Sequence, residues 1–447
     1  MQGEHPLLRL LRPLDPLDVD DPRAPGERVP DAPVRCAAGA GEPEWLRSDG
    51  WQVLARPGAA GPSGGEVLAR FATETGAPVD VVVDRATGVV RFPFSLAEAY
   101  EAYVRERWAE AAGGRRLSEG TLDRFYRVKH LIPRRAQLAA RRAIVRWQGR
   151  PAFPAWPFDD SVARLLKLLV ASALAASGAP ELRFRWFWPH GRRAAAILTH
   201  DVESAEGLRL AVELADLEEA RGLRSSFNVV GDSYPIDRGV IEELTGRGFE
   251  IGVHGVFHDR SMFASRENFA AQAPALARAV SELGAVGFRS PATHRVVDWL
   301  AELPVAYDCT IPLSDPYEPQ PGGCCSPWPF FLGDVVELPY TLPQDHTLFT
   351  LLRHRTPELW IGQLERLERA AGLVQCLSHP DAGYLGDPDK RARYVAFLDA
   401  LTARDTLWTA LPRDVAAWWR ARDLDEEGGV GVAHLDDAGD VVFDVAA

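Results

Sequence analysis

The sequence predicts an α/β protein: a distorted (β/α) barrel of seven or eight parallel strands, preceded by a small β meander and a helical segment. Three observations carry that expectation. From Arg193 onward, short apolar β-rich runs alternate with stretches of helical periodicity, as in a parallel sheet with crossover helices. The alternation recurs seven or eight times in about 220 residues, the scale of a closed barrel or a distorted relative of one. Metal-competent side chains stand at the C-terminal ends of the apolar runs, the edge where parallel α/β folds build their sites.

The elements follow in order. Residues 1–43 are rich in Pro, Gly and Asp and read as an irregular arm. Residues 44–95 form a small β-rich region. In it Val67-Leu-Ala-Arg-Phe-Ala, Val79-Asp-Val-Val-Val and Val89-Val-Arg-Phe are separated by turn residues and read as an antiparallel meander. Residues 96–190 form a helical region. Ser95-Leu-Ala-Glu is a capping box that starts it, and helices are expected over 96–112, 118–130, 135–148 and 160–177, interrupted by Pro151-Ala-Phe-Pro-Ala-Trp-Pro. Arg134, Arg135, Arg141 and Arg142 read as a solvated helix face. In the barrel, 191–422, strands are expected over 194–199, 224–230, 249–253, 286–289, 305–309, 335–338, 373–377 and 406–410. Helices are expected over 206–221, 238–247, 268–283, 296–303, 357–371 and 389–404. The stretch 310–335 reads as a long loop around Pro321-Gly-Gly-Cys-Cys-Ser-Pro, with Cys324 and Cys325 as loop residues, and a helix holding Trp418 and Trp419 closes the domain. Residues 423–447 are an acidic tail with a hairpin signal at Asp436-Asp-Ala-Gly.

Composition narrows the function. Hydrophobic residues make up 46% and charged residues 25% of 447, which excludes disordered, collagen-like and disulfide-scaffold chains. With 50 basic against 63 acidic residues the net charge is -13, so nucleic acid is not an expected partner. Five cysteines, an odd and small number, fit reduced thiols and a cytoplasmic setting. The first 33 residues lack a basic head followed by an apolar core, so no export signal is read. The most apolar window, 165–176, is about a dozen residues against the ~20 a membrane span needs.

The chemistry lies at the strand ends. Ile197-Leu-Thr-His-Asp brings His200 and Asp201 to the rim. Phe249-Glu-Ile-Gly-Val-His brings His254, with His258 four residues on. Phe288-Arg brings Arg289, and Gln375-Cys-Leu-Ser-His brings His379. Two imidazoles and a carboxylate form a common ligand set for Zn²⁺ or a similar divalent ion with one position open to water. Such an ion lowers the pKa of its water towards ~7 and polarises a carbonyl. The reaction then needs a base for the water proton and an acid for the leaving amine or alcohol. His379 suits the acid role. Arg289 suits the holding of a carboxylate or the stabilisation of negative charge.

Asp201, His254-x-x-x-His258, Arg289-x-Pro291 and Leu377-x-His379, in this order, resemble the polysaccharide deacetylase family, the NodB-homology domain of carbohydrate esterase family 4. The resemblance covers 193–422. It implies a distorted (β/α) barrel, a divalent metal held by one Asp and two His, and hydrolysis of N-acetyl or O-acetyl groups on sugars. Carried over, Asp201, His254 and His258 match the metal ligands, His379 the general acid, and Arg289 the arginine that orients the base. The family's first motif reads Thr-Phe-Asp-Asp, with the first Asp as base and the second on the metal. This chain reads Thr199-His200-Asp201-Val202-Glu203, so Asp201 is placed on the metal and the base is left open among His200, Glu203 and Asp345. Thr293 replaces the glycine usual two residues after the proline of Arg289-x-Pro291.

The expected function is a metal-dependent hydrolase that removes an acetyl or other acyl group from a sugar or a glycosylated small molecule. It would act on a non-peptide C–N bond or an ester, with Zn²⁺ as the expected ion and Co²⁺, Mn²⁺ or Ni²⁺ as alternatives. The competing expectation is an inactive deacetylase-like protein that binds carbohydrate or serves as a scaffold. A His-Asp phosphohydrolase, suggested by His200-Asp201 and His258-Asp259, is set aside because the first pair closes an apolar β run.

Overall fold

Nine consecutive residues, Ala194–Val202, are buried on both faces, as the central strand of a parallel sheet must be. This strand, β1, anchors the computed structural model of the protein, which describes residues 4–25, 29, 31–37, 39–58, 65–111, 133–149 and 152–446. It is followed by β2 (Ser226–Val229), β3 (Glu250–Val253), β4 (Gly287–Phe288), β5 (Tyr307–Asp308), β6 (Phe330–Leu332), β7 (Val335–Glu337), β8 (Leu373–Ser378) and β9 (Leu407–Thr409). The spatial order is β6-β7-β5-β4-β3-β2-β1-β8, with β9 paired to the start of β1. Neighbours run parallel throughout, except that β6 is antiparallel to β7. Helices α1 (Ala205–Glu219), α2 (Arg238–Gly246), α3 (Arg266–Leu283), α4 (Glu358–Arg369), α5 (Pro388–Thr402) and α6 (Pro412–Asp423) connect the strands.

The barrel is distorted at its seam. β7 and β8 do not form a ladder; Thr341, beyond β7, joins them. Its Oγ1 donates to the Leu373 carbonyl at 2.7 Å and accepts from Gln375 N at 2.8 Å. A hydroxyl that donates and accepts in this way replaces two backbone bonds that a missing strand pairing would leave unmade.

The strand and helix expectations for the barrel hold within a few residues. The stretch 310–335 needs correction, since it contains β6. Cys324 and Cys325 are buried in that stretch. All five cysteines are free and buried. No described helix is long and apolar enough to cross a membrane.

The N-terminal part is more ordered than its composition suggests. Within 1–43, helix Pro6–Leu11 buries Leu7, Leu10 and Leu11, and strands Val19–Asp20 and Val34–Cys36 join the expected meander in parallel. The meander is antiparallel as expected, and the two added strands make the whole a mixed five-stranded sheet. Half of the capping box forms: Ser95 Oγ accepts from Glu98 N at 2.9 Å and starts helix Leu96–Val104, while the Glu98 carboxylate turns to Arg56. The helix expected over 96–112 breaks at Glu106, where φ is 53°, and resumes at Trp108–Ala111. The helix expected at 118–130 lies outside the described residues. Residues 423–447 form hairpin Val430–Leu435/Val441–Val445, which pairs with Glu181–Arg185.

Helix Arg134–Gln148 lies against the rim. Arg141 donates to the Tyr317 carbonyl, and Arg142 Nη2 donates to the Thr350 carbonyl at 2.9 Å. These two arginines are therefore docking residues and not a solvated face. Trp156 packs edge-on against Tyr317, with centroids 5.0 Å apart.

Candidate metal centre

Side chains alternate along a strand, so residues two apart share a face. On β1 this parity separates His200 from Asp201. Asp201 turns into the barrel, and His200 turns out towards the helix layer. There Nδ1 lies 2.8 Å from Ser378 Oγ and Nε2 lies 2.7 Å from Glu218 Oε1, and the ring stacks on Phe227. His200 is fully buried away from the rim, so the expectation that it serves as a catalytic group is corrected. Glu203, two residues beyond Asp201, returns to the inner side.

Asp201 sits in a cross-strand row with Asn228 and Gly252. Asn228 Nδ2 donates to Asp201 Oδ1 at 2.9 Å. A Cβ on residue 252 would lie 2.1 Å from the Asn228 side-chain oxygen, so glycine leaves the room in which Asn228 reaches its partner. Arg289 Nη1 lies 3.5 Å from the same Asp201 oxygen, and its Nε donates to the Cys309 carbonyl at 2.9 Å. Gln375, with its amide oxygen turned towards Arg289, accepts from Nη2 at 2.5 Å. Arg289 is fully buried and held on three sides. Burial pushes the Asp201 carboxyl up, but His254, Arg289 and His379 outweigh it and hold the carboxyl below its ordinary value.

The two histidines of His254-x-x-x-His258 lie in a loop and not on a helix. Gly255, with φ 71°, turns the chain directly after His254, and His258 N donates to Ser233 Oγ at 2.9 Å. The rings come to 5.3 Å between centroids. His254 Nδ1 lies 3.1 Å from the Arg289 carbonyl, which fixes the proton on Nδ1 and leaves Nε2 as the ligating atom. Burial holds His254 down at about 4, so it is neutral when it would bind a metal.

Glu203 completes the group. Its Oε1 lies 3.1 Å from His258 Nε2. Ligand atoms of Glu203, His254 and His258 all lie within 4.8 Å of one another, and this is the metal-competent trio among the described residues. Two ligands at ~2.1 Å from a tetrahedral ion stand roughly 3.4 Å apart, close to the Glu203–His258 spacing. Asp201 falls outside the trio: its nearest imidazole contact is 3.8 Å from Oδ2 to His254 Nδ1, the nitrogen already committed to the Arg289 carbonyl. The structure thus exchanges two expected positions. Glu203 stands with the two histidines where Asp201 was expected, and Asp201 stands with Arg289 where the base was left open. The donor set, one carboxylate and two imidazoles, fits a divalent ion.

His379 lies opposite. Its Nδ1 is 2.7 Å from Asp345 Oδ1 and its Nε2 is 3.8 Å from Glu203 Oε1. Burial pulls His379 down, but the Asp345, Glu203 and Asp201 carboxylates prevail and hold it up at about 10. Its ring stacks on Tyr384 at 4.6 Å. Asp345 is therefore the partner of His379 and does not face the trio. Asp381, unmarked by any motif, pins the end of β1: Oδ2 accepts from Glu203 N at 3.0 Å and Oδ1 accepts from Ser204, the N-cap of α1. Asn228 and Asp381 were missed because single polar residues at strand ends carry no distinguishing spacing.

A (β/α) barrel with a Glu-His-His cluster at its rim, flanked by an Asp–Arg pair and a His–Asp pair, describes the centre. No family model matches the chain, and no curated protein is similar to it. Among solved structures it is similar to a protein described as a polysaccharide deacetylase from Mycobacterium smegmatis, at 23% identity and TM-score 0.44 over 53% of this chain and 93% of that one. It is similar to another so described from Pseudomonas aeruginosa PAO1, at 17% and 0.40 over 53% and 94%. Puue allantoinase is also similar, at 16% and 0.40 over 53% and 93%.

Proposed function

We propose that the protein is a metal-dependent hydrolase that removes an acyl group from an amine or hydroxyl of a sugar or glycosylated small molecule. Glu203, His254 and His258 would hold the divalent ion, with Zn²⁺ the expected one. When bound, that ion supplies an activated water and polarises the acyl carbonyl. The observation that carries the reading is the meeting of these three ligand atoms between two differently charged pairs. Asp201, kept ionised by Arg289, accepts the proton of the attacking water. Arg289 has no route to the reacting atoms except through Asp201 and acts as a positioning residue. His379, kept protonated beside Asp345, gives its proton to the departing nitrogen or oxygen. Two groups whose surroundings drive their proton affinities apart are what an acid–base pair requires.

The test is metal content together with acetate release from a panel of N- and O-acetylated sugars, with His254→Ala and His258→Ala as controls. Zinc that stays at wild-type stoichiometry in the double variant removes the site. The competing reading, a carbohydrate-binding protein without turnover, is favoured by Val202 at the position where the family pattern has its metal Asp. Metal binding and glycan binding with no acyl release across the panel would establish it.

A further inference from the structure

The segment that carries His379 continues through Tyr384 to the start of α5, where Asp387 and the first turns of the helix line a cavity of about 510 Å³. Arg353, Arg355, Lys390 and Arg393 converge on this space with His354 and Asp387. Asp387 is engaged: Oδ1 accepts from Gly383 N at 2.8 Å, and Oδ2 lies 3.3 Å from Lys390 Nζ. Exposed Asp389 is the other carboxylate on the lining. Among the described residues no carboxylate pairs with Arg353, Arg355 or Arg393. Arg393 is held in place by its bond to the His354 carbonyl at 3.1 Å and by the Phe349 ring, 5.3 Å from its guanidinium carbon. Arg142, from the helix on the rim, has Arg353 and Arg146 as like-charged neighbours.

This concentration is unusual in a chain of net charge -13. The larger basic cavity, about 850 Å³ between Lys167 and Arg369, has two of its arginines tied to carboxylates: Arg164 pairs with Asp160 at 2.7 Å and Arg193 with Asp444 at 2.9 Å. Four basic side chains, Arg353, Arg355, Lys390 and Arg393, against two carboxylates, Asp387 and Asp389, leave the lining with an excess of positive charge, which an anion with several oxygens relieves. Guanidinium forks match phosphate oxygens two at a time. The N-terminus of α5 adds a favourable dipole end.

We propose that this pocket binds a phosphate or diphosphate group, and that the substrate is a sugar phosphate or nucleoside diphosphate sugar. The binding claim stands on the pocket alone. The substrate claim rests on the hydrolase reading above and on a run of contacts from the pocket towards the rim: Asp387, on the lining, accepts from Gly383 N, and the ring of the next residue, Tyr384, stacks on His379.

The test is calorimetric titration of the full, chelator-treated chain with inorganic pyrophosphate and with a nucleoside diphosphate N-acetylhexosamine. Saturable one-site binding is expected, weakening as salt rises. Arg353→Glu/Arg355→Glu, both exposed and free of structural bonds, should reduce affinity roughly tenfold or more, and Arg164→Glu in the other cavity should not. No saturable binding at millimolar pyrophosphate, or unchanged binding by the double variant, overturns the proposal. His254→Ala separates the two readings: it should abolish acyl release and leave pyrophosphate binding intact.

Discussion

Asp201→Asn removes one charge and almost no volume, and the structure assigns it consequences that differ from those of any change in the metal trio. Arg289 Nη1 lies 3.5 Å from Asp201 Oδ1, and both groups are buried. At an effective dielectric of about 20, that separation corresponds to roughly 5 kcal/mol of attraction. Breaking a buried pair by neutralising one partner typically costs about 3–5 kcal/mol, because the other charge stays buried. The variant should therefore unfold in urea with a free energy lower by about that amount. Turnover should fall by roughly 10²–10⁴, the contribution of a positioned base. Bound zinc, measured by mass spectrometry after dialysis, should stay at one per chain, because Asp201 lies outside the Glu203–His254–His258 trio. Loss of zinc from Asp201→Asn, with zinc retained in Glu203→Gln, would reverse the two carboxylates and refute the assignment.

Further outcomes follow from the same geometry. Burial pushes Glu250 up to about 7 despite the Tyr307 hydroxyl, 2.8 Å from Oε1, and the Arg413 N–H. A carboxyl raised in the folded state contributes its stability below the unfolded value of ~4.5 and loses it as pH rises through about 7, a change of about 3 kcal/mol. Glu250→Gln should therefore gain that much on the wild type in urea unfolding between pH 4.5 and 8; a flat difference would contradict it. Gly252→Ala puts a methyl 2.1 Å from the Asn228 side-chain oxygen and should cost about 1–3 kcal/mol, with lowered turnover at full zinc occupancy. Asp345→Asn frees the His379 ring and should lower kcat roughly a hundredfold with KM little changed; an equal rise in KM alone would point to substrate binding instead.

Much of this arrangement was legible in the sequence because buried parallel strands must be apolar along their whole length, so Ile197, Phe249, Phe288 and Leu377 mark strands and the polar residues after them mark the rim. That rule puts His254, Arg289 and His379 at strand ends, and the His254-x-x-x-His258 spacing adds His258. The grouping of Glu203, and not Asp201, with the two histidines was not read, although the signal was present. The two residues share a strand face, while His200 and Val202 take the other, and a longer glutamate can reach from one position further on. A family pattern with adjacent aspartates obscured that parity. His200 was misjudged because a histidine on the outer face of a strand looks the same in sequence whether it faces solvent or a buried Glu218. The order of the N-terminal arm was illegible for a different reason: it is tied to elements further along the chain, with Val34 paired to Val90 and Arg9 bonded to Asp423.

The central claim is that Glu203, and not Asp201, completes the ligand set with His254 and His258. Zinc stoichiometry and affinity of Glu203→Gln measured beside Asp201→Asn test it without knowledge of the substrate. Glu203→Gln should weaken zinc by more than the roughly 10–100-fold that loss of an outer partner costs, while Asp201→Asn should keep it. Wild-type affinity in Glu203→Gln would contradict the account.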